Sequence, residues 1–176
     1  VLFMGVTYQS GGTWASAIAA INTEADTTLW SVQLDWNNPS GGAAINCMTY
    51  DNGTLFIGGE FGGIGTTDRP NLLALNAADG SLLPWDAELS ITVNPTHLAV
   101  SGNKVIISGW LGGTVGGVPT PSMCIAVDRS TGVLLPWEPS VHIDSDATIA
   151  ILGSKLYVSP VINDDPDSVR TGLGAF

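Results

Sequence analysis

Few residues in this sequence of 176 could do chemistry. A nucleophile needs a base beside it and a metal needs a cage of ligands. The chain offers two imidazoles, His97 and His142. His97 lies inside the apolar segment "THLAV", Thr96 to Val100, and reads as a core or half-buried position rather than a catalytic one. His142 is followed at alternate positions by Asp144 and Asp146, which in a strand share one face. One imidazole and two carboxylates could contact a divalent cation, but a complete site needs further ligands. "NDDPD", Asn163 to Asp167, gathers Asp164, Asp165 and Asp167 but lacks the glycine and distal glutamate of a calcium loop, and reads as a solvated acidic loop. "GGIG" and "GGTVGG", from Gly62 and Gly112, are not phosphate cradles, because no lysine follows and no helix begins there; they read as wide loops on one face. Asn52-Gly53-Thr54 matches a glycosylation sequon but falls where a hairpin turn is expected. Cys47 and Cys124 sit in apolar segments and read as buried free thiols. On these grounds no catalytic, cofactor-binding or metal-ligating residue is assigned, and no cofactor is expected.

Composition narrows the partners. Five Lys plus Arg against sixteen Asp plus Glu leave a net charge of −11. Without a basic patch to displace counterions, nucleic acid and anionic membrane surfaces are poor partners. No apolar run approaches the roughly 20 residues that span a bilayer. The chain opens on Val1, which suggests processing or a piece of a longer protein. Its length fits a single domain over 1–176.

The elements that would position any site are announced by repetition. "LFMGVTY", "LFIGGEF", "VIISGWL" and "LYVSPVI" start at Leu2, Leu55, Val105 and Leu156, offsets of 53, 50 and 51. A second set, "AIAAIN", "NLLALN" and "MCIAVD", follows the first three, and a third set, "INCMTY", "THLAV" and "ATIAIL", precedes each new start. Each is too short for an amphipathic helix and rich in strand formers. "DNGT", "SGNK" and "LGSK" mark hairpin turns, while Gly80 and Gly132 in "AADG" and "RSTG" fit a left-handed turn position. The following "LLPW", with Trp85 and Trp137 separated by 52 positions, supplies a fourth strand. Pro84 and Pro136 should end its pairing, so that the indoles pack between neighbouring units. The units run 2–54, 55–104, 105–155 and 156–176, the last incomplete. The first is degenerate, with Thr27 where glycine is expected and Trp30 after no proline. About fifty residues and four strands per unit predict an all-β fold, a β-propeller of about three and a half four-stranded blades that belongs to a larger one.

The stretch "LFIGGEF…RPNLLALNAADGSLLPW…HLAVSGNKVIISG" resembles the delta-60 type repeats of bacterial β-propeller proteins and, more distantly, quinoprotein-type propellers. The resemblance covers about Leu2 to Val158. Ser108 and Ser159 depart from it by replacing the first glycine of the Gly58 pair, and Pro160 by replacing the second. It implies a secreted, cell-surface or virion-associated protein with a structural or interaction role, whose partners are a protein, a glycan or neighbouring subunits. The alternative is a propeller enzyme of quinoprotein or glycan-processing type with its site at a central channel. Such a site needs charge recurring at one strand end, and the aligned residues Thr7, Glu60, Trp110 and Val161 do not share one.

Overall fold

The computed structural model describes residues 1–10, 13–36, 43–137, 139, 143, 145, 147–159 and 174–175. Among them there is no helix; strands and tight turns account for the regular structure. β1 (Leu2–Ser10), β2 (Thr13–Asn22) and β3 (Thr27–Leu34) form the first sheet. The second joins β4 (Ala44–Asp51), β5 (Thr54–Glu60) and β8 (Leu72–Asn76), with a small hairpin of β6 (Gly63–Ile64) and β7 (Thr67–Asp68) inserted. The third joins β9 (Asn94–Ser101), β10 (Lys104–Trp110) and β13 (Cys124–Asp128), with the hairpin β11 (Thr114–Val115) and β12 (Val118–Pro119) at the same place. β14 (Thr148–Leu152), β15 (Lys155–Ser159) and β16 (Gly174–Ala175) form the fourth. Every pairing is antiparallel.

Alternation along each strand explains why the sheets stack. Successive side chains leave opposite faces, so Leu55 and Ile57 of β5 join Ile18 and Leu34 of the first sheet in one core, while Phe56 between them joins Val105 and Ile107 of the third sheet in another. β10 repeats the device: Ile106 turns to the fourth sheet and packs with Leu156 and Val158. Because both faces are covered, these strands read as unbroken apolar runs instead of alternating ones. β9 lies beside β4 on one side and β14 on the other.

The hairpins have simple causes. Asn52 and Gly53 both take positive φ, 43° and 83°, the combination that joins antiparallel strands without splaying them. At the next two hairpins only the first turn residue does so, Gly102 at 56° and Gly153 at 62°. At the ends of β2, β8 and β13, in the first three sheets, an Asx side chain folds the chain. Asn22, Asn76 and Asp128 each accept the backbone N–H two residues on. Four residues beyond them stand Asp26, Gly80 and Gly132, all with positive φ. The left-handed position of the first turn is therefore Asp26, not Thr27; aspartate tolerates that region better than most residues.

Two further expectations are corrected. The "LLPW" segments are not full strands: pairing shrinks to the bridges Leu75–Leu82 and Val127–Leu134. Leu83 and Leu135 donate the last ladder bonds, to Ala74 and Ala126, and Pro84 and Pro136 have no N–H to continue. In the first sheet Leu29 takes the place of that proline at a bulge between Thr28 and Trp30, and β3 runs on for eight residues. The glycine segments are not open loops either. Gly65 (φ 59°) closes β6 on β7, and Gly116 and Gly117 (56° and 75°) close β11 on β12. The preceding chain bridges to each hairpin, at Asp35–Gly63 and Leu89–Val115.

Candidate functional site

The tryptophans lie at the seams between sheets. Trp85 is buried against Phe56, edge to face at 5.1 Å between ring centres, and its Nε1 donates 3.3 Å to the Asp128 carbonyl at the end of β13. Trp30 does the same one seam earlier, donating 3.1 Å to the Ala77 carbonyl just past β8. The turn glycines fit under them: a Cβ on Gly80 would lie 2.6 Å from the Trp30 ring, and one on Gly132 would lie 1.9 Å from the Asp86 carbonyl oxygen. Trp137 is half-buried against the core between the third and fourth sheets.

A cleft of about 550 Å³ opens beside Trp85, walled by Phe56, Pro84, the Gly102–Asn103 turn and Arg129. Arg129 is held there by Asp51, 2.6 Å away across the seam. One seam earlier a cleft of about 590 Å³ occupies the corresponding place, with Phe3 for Phe56, Leu29 for Pro84 and Ala77 for Arg129. That second cleft has no charged side chain in its wall, and Phe3 stacks on Tyr50 at 5.8 Å. The geometry is shared and the chemistry is not.

At the opposite strand ends, polar side chains link the second and third sheets. β4 is bulged at Asn46, so that Ile45 pairs with Gly59 and Cys47 with Gly58. A bulge re-aims its side chain, and Asn46 Nδ2 donates to Asn94 Oδ1 at 2.8 Å and to the Pro95 carbonyl at 3.3 Å. Asn94 in turn donates to Glu60. The equivalent bulge in β9 is at Thr96, whose hydroxyl donates to the Ser145 carbonyl of the next connection at 3.4 Å. Trp110, aligned with Glu60, is 59 % exposed at the end of β10.

The residues singled out in the sequence are dispersed. His97 is half-buried, with Nδ1 3.2 Å from the Thr96 hydroxyl. His142, Asp144, Asp146, Val161 and the segment 163–167 lie outside the described residues. Cys47 is half-buried and Cys124 buried; both are free thiols, and burial pushes each up to about 12. Ser108 fills its glycine place because its hydroxyl donates 3.2 Å to the Ala147 carbonyl, whereas a Cβ on Gly58 would press on Pro95 and the Cys47 sulfur. Among the described residues no three His, Cys, Asp or Glu side chains gather as a metal cage.

Asn71 escaped the sequence reading. It is buried with φ 65°, accepts from Phe61 N–H at 3.1 Å and donates to the Ile91 and Val93 carbonyls at 3.1 and 2.7 Å. Its only sequence signal was an asparagine opening an apolar run where the neighbouring unit has Met123.

No known family profile matches this chain, and no curated protein does. Among solved structures it is similar to the crystal structure of the computationally designed Ika8 protein, at 15 % identity over 86 % of this chain and 54 % of that one, with a TM-score of 0.40. The chain thus spans about half the length of that protein.

Proposed function

We propose that this chain is an arc of a β-propeller serving as a non-catalytic structural or interaction module of a secreted, cell-surface or virion-associated protein, with a protein, a glycan or neighbouring subunits as partners. One observation carries the reading: consecutive sheets meet through the same contacts. Strand faces interleave in the same order at three seams. An indole donates to the far end of the next sheet at two of them. β4, β9 and β14 stand side by side, as inner strands do around an axis. Contacts that recur from sheet to sheet generate a ring when the rotation closes. Electron microscopy of the assembled protein tests this. Rings with a central channel are expected, and an open, extended stack would contradict the proposal.

A further inference from the structure

We propose that the cleft between the β11–β12 hairpin and the turn after β13 receives an arginine side chain from a basic segment of a protein partner. This rests on the interaction-module reading and names the chemistry of its partner. The cleft measures about 310 Å³, and its wall is drawn wholly from described residues. Val115, Val118, Val133 and Leu134 make it apolar, while Asp86 and Glu88 bring carboxylates to it and no Lys or Arg joins them. Val118 and Val133 are 53 % and 63 % exposed, so the apolar surface is open to a partner. An arginine lays its methylenes on such a surface while its guanidinium meets a carboxylate.

Glu88 is placed for that contact. Its backbone, at φ 50°, is held by the Asp86 carboxylate, which accepts the Glu88 N–H at 2.8 Å, and by Gly116, whose N–H donates to the Glu88 carbonyl at 3.1 Å. Its Oε2 lies 3.9 Å from where a Cβ on Gly116 would stand, beside the turn that joins β11 to β12. Asp86 is paired with Arg69 at 3.0 Å, so Glu88 carries the unneutralised charge. The other cations stand elsewhere: Arg129 is paired with Asp51, Lys104 and Lys155 open β10 and β15 at their hairpin ends, and Arg170 lies outside the described residues. The net charge of −11 draws basic segments towards the molecule.

The preceding seam shows that the fold does not require this chemistry. There Asp35 N–H donates to the Gly63 carbonyl as Ser90 N–H does to that of Thr114, and the bridge Leu75–Leu82 matches Val127–Leu134. In that frame Ser31 and Gln33 take the places of Asp86 and Glu88, and Thr67 and Ser81 those of Val118 and Val133. All four are exposed and none is charged or aliphatic. Carboxylates and exposed valines therefore arrive together at one seam.

The test is calorimetric titration of the full chain with a peptide of three alternating arginine and serine residues, beside the same peptide with citrulline for arginine. The arginine peptide should bind in the millimolar range or tighter, and the citrulline peptide, equal in shape but neutral, about tenfold more weakly. Glu88→Gln should weaken binding about threefold or more, and Glu24→Gln, which removes the same charge from the exposed turn after β2, should not. Val118→Thr with Val133→Ser, which installs the residues of the preceding seam, should also weaken it several-fold. No binding, equal affinity for the citrulline peptide as an apolar occupant would give, or equal losses in Glu88→Gln and Glu24→Gln overturns the site and leaves the module reading standing. Binding followed by cleavage of the peptide keeps the site and overturns the non-catalytic reading.

Discussion

Two residues show how much of this fold depends on single side chains. Asn71 satisfies one N–H and two carbonyls from a left-handed backbone position, so Asn71→Ala should cost about 2–4 kcal/mol in urea unfolding, combining unpaired buried groups with backbone strain. Trp85→Ala should cost about 3–5 kcal/mol as a buried aromatic truncation, and Trp137→Ala less, because that ring is only half-buried. An unchanged unfolding midpoint for Trp85→Ala would place the indole outside the seam. The thiols give a pH dependence. Their folded pKa of about 12 lies above the ordinary 9.0, so their contribution is complete below pH 9 and is lost as pH rises from 9 towards 12. Cys124→Ala should flatten that alkaline decline, and neither thiol of the native chain should react with a thiol reagent at pH 8. The Asp128 carboxylate is held at about 2, first by the Ser130 hydroxyl and then by the Ser130 and Thr131 N–H groups. What it contributes is present above the ordinary 3.8 and fades as pH falls towards 2.

At the scale of elements, the strands and turns were legible and their lengths were not. Apolar runs such as "LLAL" and "CIAV", bounded by Asn, Asp and Gly, mark the strands because both faces are buried. The fourth strand was misjudged because the same proline that signals the seam also ends the ladder, and the first unit, degenerate by that motif, makes the long β3 for want of it. The bulge at Asn46 left no mark in the sequence, since an extra ladder residue changes register but not composition. Hence the Asn46–Asn94–Glu60 chain was invisible there, although Glu60 and Trp110 had been aligned. The turn glycines separate two costs. Gly53→Ala meets open space and should lose about 1 kcal/mol from its positive φ alone. Gly132→Ala would add a clash with the Asp86 carbonyl and should lose at least about twice that, measured side by side in denaturant.

For the whole molecule, the decisive feature is the outer face of the first sheet. Leu2, Met4, Val6 and Tyr8 line one face of β1 and are 38–50 % exposed, opposite Ile21, Ala19, Ala17 and Ala15 of β2. On the second sheet the matching residues, Leu55 and Ile57, are buried against the first. Apolar patches of this kind mark association surfaces, and the proposed propeller would cover this one with a further sheet of the same type, from a longer polypeptide or a neighbouring subunit. Sedimentation velocity on the 176-residue chain and on Met4→Glu tests this directly. The account predicts that the chain self-associates and that the charged variant shifts towards monomer. A stable, cooperatively unfolding monomer of the unmodified chain would contradict it.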